Sequence, residues 1–129
     1  MSKGCVVFGA LVVYVLLIIA SVSFGKTATR KPYNKSEIKI LYFTASWCLP
    51  CKKMEAEVLP KHSIITVISK YKSFTKYDTD TSTGRRMGLS YQINTVPCFL
   101  FLDKGAKEIK RINGFINEDK LLIILNARF

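Results

Sequence analysis

The chain is 129 residues long, with 20 basic residues against 9 acidic ones, a net charge of +11, and a composition that is 49% hydrophobic and 12% aromatic. That length accommodates one small core and excludes a multidomain protein, a repeat array and a collagen-like or coiled-coil fibre, while the apolar content excludes a disordered basic tail. Four cysteines, unevenly spaced, are too few for a small scaffold stapled by disulfides.

No charged side chain occurs between Gly4 and Gly25, and CVVFGALVVYVLLIIASV (Cys5–Val22) is almost wholly apolar. Eighteen helical residues span roughly 27 Å, close to the hydrocarbon thickness of a bilayer. A domain this small could hardly enclose a helix that is apolar on every side. Residues 1–25 therefore read as a signal peptide or a transmembrane signal-anchor. Ser21-Val22-Ser23 or Ser23-Phe24-Gly25 offers small residues for cleavage, but the run is longer than the usual signal-peptide core of roughly 7–15 residues, which favours a retained anchor. Lys26, Arg30, Lys31 and Lys35 lie directly after it. The positive-inside rule alone would hold the rest of the chain in the cytoplasm, whereas a signal-like segment at an N-terminus exports the polypeptide behind it. We expect export, with a membrane-anchored or exported protein whose soluble part is extracytoplasmic, in a periplasm or secretory compartment. Residues 26–36 read as a polar tether and 37–129 as the domain.

Within that domain, Ile38–Thr44 (IKILYFT) is apolar and β-branched, the mark of a buried strand. A helix is predicted over Cys48–Leu59, rich in helix formers and closed by Pro60. Ser63 is placed to cap a second helical piece over Ile64–Tyr71, with a strand as its competitor. Phe74–Asp78 reads as a strand, Thr79–Thr83 as a polar turn and Gly84–Tyr91 as a short helix. Cys98–Leu102 (CFLFL) is a strand, turned at Asp103-Lys104-Gly105 into an antiparallel partner over Ala106–Ile112. Asn117–Ala127 closes the chain as a helix with acidic residues in its first turn, where the dipole favours them. This order predicts an α/β domain, a central mixed sheet flanked by helices on both faces.

The chemistry-bearing motif is Cys48-Leu49-Pro50-Cys51, set between a strand and the start of a helix. Free N–H groups and the positive dipole end stabilise a thiolate there, so Cys48 is expected to have the lowered pKa and to act as nucleophile. Cys51 lies about one turn further on, within bonding reach of Cys48. Pro50 is tolerated because the first helical turn needs no donor at that position. A four-thiolate zinc site needs a second CxxC, and none exists; the remaining thiols are Cys98 and Cys5, the latter inside the apolar run, and a site of Cys48, Cys51, Cys98 and His62 is the metal alternative to a redox pair. His62, the single histidine, is expected on a solvated loop after Pro60. The basic residues are scattered, without an RNA-binding motif or a long basic helix, so no nucleic-acid partner is expected; the charge reads as a solvated surface near anionic lipid or acidic partners.

FTASWCLPC (Phe43–Cys51) with Lys52 behind it resembles the active-site segment of the thioredoxin family, Thr95-Val96-Pro97 before CFLFL resembles its cis-proline loop, Asp103-Lys104-Gly105 its hairpin and Gly114 its late glycine. CKKMEAEVL also resembles the thioredoxin-like domains of membrane thiol:disulfide interchange proteins. The likeness covers about residues 37–127. It implies a thioredoxin-like fold and a redox-active disulfide in which Cys48 attacks and Cys51 resolves. It further implies that Trp47 covers the disulfide, that Pro97 is cis and faces the pair, and that Val96 offers backbone hydrogen bonds to an extended substrate segment. The implied activity is that of a protein-disulfide reductase or isomerase, working on protein disulfides and recharged by a membrane or soluble electron-donor thiol protein, with no metal or organic cofactor. A non-enzymatic soft-metal-binding or partner-docking module of the same fold is the alternative.

Three positions depart from the family pattern. Tyr42 stands where thioredoxins usually carry a buried aspartate, while Lys76 falls where the buried lysine would lie. Proton transfer at Cys51 is then left to Glu55, to water or to no efficient group, and Glu55 also reads as an ordinary solvated helix residue. The dipeptide between the cysteines is Leu-Pro instead of Gly-Pro, which leaves the redox potential open. Cys98 comes directly after Pro97, either as a third thiol near the pair or as a small buried residue of its strand.

Overall fold

In the computed structural model the described residues are Tyr14 and 33–129; apart from Tyr14, the apolar segment 4–25 and the tether up to residue 32 lie outside them. No helix among the described residues is long and apolar enough to cross a membrane. The last residues of the expected tether lie against the domain. The Tyr33 N–H bonds the Phe129 carbonyl at 3.2 Å, and Lys35–Glu37 forms a 3-10 turn capped by Asn34.

Two strands are buried along nearly their whole length: β1 (Lys39–Thr44) at every position but Lys39, and β3 (Cys98–Leu102) throughout. Strands covered on both faces lose the usual apolar–polar alternation, which explains the unbroken CFLFL. The edges are β2 (Ser73–Asp78) and β4 (Glu108–Asn113), both only partly buried, and the sheet order is β2-β1-β3-β4. β1 runs parallel to β2 and antiparallel to β3, and β3 antiparallel to β4, so the sheet is mixed as expected.

Alternate side chains of β1 and β3 enter two cores. Ile40, Tyr42, Phe99 and Phe101 pack with Met54, Val58, Ile64, Val67, Leu121 and Leu125. Those residues come from the π-helical turn (Met54–Val58) that continues α1 (Leu49–Lys53), from α2 (His62–Ile68) and from α4 (Glu118–Asn126). On the other face Leu41, Phe43, Cys98, Leu100 and Leu102 meet Met87 of α3 (Ser82–Ser90), with Tyr91, Ile93 and Val96 around it. Each fully buried Phe or Leu contributes about 1.5–3 kcal/mol of transfer free energy.

Several local expectations are corrected. The helix predicted from Cys48 to Leu59 changes register after Lys53, where the Leu59 N–H reaches back five residues to the Met54 carbonyl. Ser63 does not cap α2. Lys61 holds the N-cap position, and the Ser63 hydroxyl donates to Glu118 Oε1 of α4 at 2.5 Å. α2 ends before Tyr71, whose hydroxyl is drawn across the core to the Leu125 carbonyl at 2.8 Å. α3 begins at Ser82, ahead of Gly84, because Thr81 Oγ1 accepts the Gly84 N–H at 3.0 Å and caps it there. The second hairpin strand starts only at Glu108, since Ala106 adopts φ 61° in the turn. His62 opens α2 on the surface instead of occupying a loop.

Candidate active site

β1 ends at Thr44, and Ala45–Trp47 carries the chain to Cys48, the N-cap of α1. Cys48 and Cys51 form a disulfide with α-carbons 5.2 Å apart, the spacing of one helical turn. Cys48 Sγ also accepts the Cys51 N–H at 3.2 Å, so the sulfur occupies the place a capping side-chain oxygen takes in other helices. Cys51 is completely buried and Cys48 keeps 3% exposure. The pair packs with Ala45 and Val96 in a small apolar cluster of its own.

Val96-Pro97 is a cis peptide, as the motif implied. Pro97 is buried, and its carbonyl accepts the Gly114 N–H at 2.7 Å. Gly114 has φ 87°, a conformation that favours glycine, so the late glycine of the motif holds the proline loop in place. Val96 is half-buried with its side chain against the cysteine cluster, and among the described residues no backbone bond engages its N–H or C=O.

Trp47 stands 70% exposed, so it belongs to no core. Its indole N–H donates to Asp80 Oδ1 at 3.2 Å, while Asp80 Oδ2 accepts from the Ser46 N–H at 2.9 Å and the Ser46 hydroxyl at 2.6 Å. The bonds from Ser46, with that from the indole, hold the Asp80 carboxyl below its ordinary range. Asp80 thus clamps the loop that presents Cys48. Sequence reasoning missed it, because an aspartate in a polar turn carries no signal of a partner 34 residues away. Gly84 was missed as well: a Cβ there would lie 1.8 Å from the Asp78 carbonyl oxygen, so only glycine lets α3 sit against the Asp78–Asp80 turn. Trp47, Thr79, Ile93, Asn94, Thr95 and Val96 line an open groove of about 390 Å³.

On the other side of the pair, Thr44 Oγ1 donates to Glu55 Oε1 at 2.7 Å and Lys76 Nζ pairs with Glu55 Oε2. Lys76 therefore has a carboxylate partner, supplied by the helix four residues beyond Cys51 and not by β1. Burial pushes the Glu55 carboxyl up, but the bonds from Lys76 and Thr44 and the lysine's charge outweigh it, and the net direction is down. Tyr42 fills the core where the aspartate was absent. Its hydroxyl has no hydrogen-bond partner among the described residues, and burial, against a small opposing influence from Thr44, pushes it up to about 12. Cys98 is a free thiol fully buried in the opposite core, opposite Phe43 in register; burial pushes it up to about 11. Of the two possibilities for Cys98, the structure favours the buried strand residue over a third thiol in the cysteine cluster.

The model of the thioredoxin-like domain family matches residues 26–129. The chain belongs to the thioredoxin-like family. It is 32% identical over 99 residues, 77% of its own length, to a TPR repeat-containing thioredoxin of Arabidopsis thaliana, but covers only 24% of that protein. It is 32% identical over 85 residues, 64% of its length, to the thiol:disulfide interchange protein DsbD of Campylobacter jejuni, of which it covers 15%. The chain thus spans a quarter or less of these two relatives. The solution structure of a thioredoxin from Thermus thermophilus superposes with a TM-score of 0.62 over 69% of this chain and 71% of that one, at 22% identity, which shows the shared fold.

Proposed function

We propose that this protein is a thiol:disulfide oxidoreductase that reduces or isomerises disulfides in other proteins. The observation that carries the reading is a disulfide closed across the first turn of a helix, with one sulfur at the free N–H end and its partner sealed behind it. In the dithiol state the N-terminal end of α1 favours the Cys48 thiolate. Its sulfur attacks one sulfur of a target disulfide, that S–S bond breaks, and the departing thiolate takes a proton from solvent. Cys51 then loses its proton and attacks Cys48 Sγ, releasing the second target sulfur. Two electrons have passed to the target and the Cys48–Cys51 bond has re-formed.

Trp47, Val96 and Pro97 are the substrate-contacting residues in this reading. The unengaged N–H and C=O of Val96, at the mouth of the groove beside the cysteines, suit an extended segment that pairs as a strand would. Glu55 is held ionised by Lys76 and Thr44, which makes it a weak base at neutral pH. It therefore orders Lys76 beneath the site, and the Cys51 proton passes to water.

The apolar run of residues 4–25 supports a membrane-inserted segment, with the domain on the extracytoplasmic side and an electron-donor thiol protein, in the membrane or soluble, returning the pair to the dithiol state. The deciding experiment measures insulin-disulfide reduction by the full chain, with the Cys48–Cys51 pair titrated against a glutathione redox buffer. Turnover that is lost in Cys48→Ser, together with a stable mixed disulfide in Cys51→Ser, supports the assignment. Undiminished turnover in the double serine variant overturns it.

A further inference from the structure

The two ends of the sheet differ in charge. β1 begins at Lys39 and ends at Thr44, roughly 17–20 Å further on, where the cysteine loop starts. Register places Lys39 beside Ser73 on one side and beside Leu102 on the other. Segments 35–39, 70–73 and 102–107 therefore converge at the end remote from the cysteines. They bring together six lysines (Lys35, Lys39, Lys70, Lys72, Lys104 and Lys107) against two carboxylates. Both carboxylates are engaged. Asp103 Oδ1 accepts the Gly105 and Lys107 N–H groups at 2.9 Å, and Glu37 Oε1 lies 3.9 Å from Lys104 Nζ. Among the described residues Lys35, Lys39, Lys70 and Lys72 have no carboxylate within ion-pair distance. Lys39, Lys72 and Lys104, with Ser36 and Glu37, line an open depression of about 300 Å³.

We infer that this end of the domain docks on a bilayer surface carrying anionic phospholipid headgroups. The inference rests on the reading of residues 4–25 as a membrane-inserted segment. Seven residues, 26–32, separate Gly25 from Tyr33, and they reach at most about 25 Å when extended. They add Lys26, Arg30 and Lys31 to the same stretch of chain. The chain thus enters the domain at its basic end, through Tyr33 and the Lys35–Glu37 turn. All six charges are lysines, compact ions on flexible stems, and they are spread over three segments. That arrangement suits a diffuse plane of phosphates better than a single phosphate group, which a forked arginine pocket would grip. Crowding is already felt within the cluster: burial and then the Lys70 charge lower the pKa of Lys35. Docking by this end turns the cysteine loop away from the bilayer, toward soluble targets.

The test reconstitutes the full chain with vesicles of phosphatidylcholine alone or of phosphatidylcholine mixed with phosphatidylglycerol. It compares wild type with the Lys39→Glu/Lys72→Glu/Lys104→Glu variant, whose retained insulin reduction verifies its fold. Flotation with neutral vesicles reports on the apolar segment. Slowed amide exchange in 35–39, 70–73 and 102–107 on anionic vesicles reports on the lysines. The expected result is flotation in both lipids, with exchange slowed several-fold only on the anionic one, and this slowing lost in the variant and at high salt. Flotation with identical exchange in the two lipids overturns the docking surface and leaves the anchor standing. Lysine-dependent flotation on anionic vesicles alone supports the surface and overturns the anchor. Equal slowing by inorganic phosphate or by a short RNA overturns the assignment to lipid.

Discussion

The start of α1 and the centre of the sheet each bury a cysteine, and the two surroundings oppose each other chemically. Cys48 caps a helix, takes an N–H bond on its sulfur and keeps a little exposure. Cys98 lies flat in β3 between Leu41, Phe43 and Leu100, and burial raises its pKa to about 11. Burial alone therefore does not decide reactivity. The direction of the nearby backbone dipoles does, and only a helix terminus points several at one atom. The sharpest way to break this contrast is competitive alkylation of the reduced protein at neutral pH. With thiolate as the reacting species, Cys48 is expected to react on the order of 10³-fold faster than Cys98. Peptide mapping after a short iodoacetamide pulse checks this, and comparable labelling of the two would dissolve the distinction.

The helix-start region also depends on a backbone approach that the sheet centre does not need. Gly84→Ala drives a methyl group into the Asp78 carbonyl, which cannot step aside as a flexible side chain could. We expect a loss of about 3 kcal/mol, a fall in Tm of more than about 10 °C, and a loosened Asp80 clamp on Ser46 and Trp47. Thermal unfolding of the oxidised protein measures the first effect and the Trp47 fluorescence spectrum the second. An unchanged Tm would mean that α3 moves off the turn freely.

What could be read from the chain divides along the same line. Short-range chemistry was legible: CFLFL is apolar without alternation, WCLPC comes after a strand, and a Val-Pro precedes the next one, so strands, redox pair and proline loop all lay in contiguous residues. Long-range polar pairing was not. Glu55, on the π-helical turn after α1, meets Lys76 of β2 from 21 residues away, and Ser63 finds Glu118 from 55 residues away. Charged residues on a helix face look alike in sequence whether they end in solvent or in such a pair. The π-helical turn after Lys53 is equally silent, since MEAEV is as good an α-helix as any.

Glu55→Gln tests how much the site's polar side matters. A carboxyl whose folded pKa lies below the ordinary 4.5 stabilises the fold above that pH and ceases to do so as pH falls through its folded pKa. The variant is therefore expected to lose about 1 kcal/mol at pH 7, discounted for the half-exposed lysine, with the gap from wild type closing in acid. Because Glu55 is not the proton acceptor in this reading, insulin reduction at pH 7 should change by less than about threefold. A much larger fall in turnover with stability intact would reassign Glu55 to proton transfer.

The smallest effect isolates the sheet thiol. Cys98→Ala removes a sulfur from a filled core and should cost about 1 kcal/mol at neutral pH. Its pH dependence runs opposite to that of Glu55. A thiol whose pKa is raised from 9.0 to about 11 by burial favours the fold fully at pH values below 9, where both states carry the proton. Between pH 9 and 11 the unfolded chain ionises its thiol and the folded one does not, so wild type loses stability that Cys98→Ala has no group to lose. At about 1.4 kcal/mol per pH unit, the gap between the two should close by about pH 10 and reverse in sign above it. Tyr42 and Tyr71, both raised to about 12 by burial, are present in each protein and cancel in the difference. Urea unfolding with the Cys48–Cys51 bond kept oxidised removes those two thiols from the titration, and Cys5 is present in each protein and cancels in the difference. A gap that stays constant from pH 8 to 11 would show that water reaches Cys98, and the contrast with Cys48 would then rest on helix geometry alone.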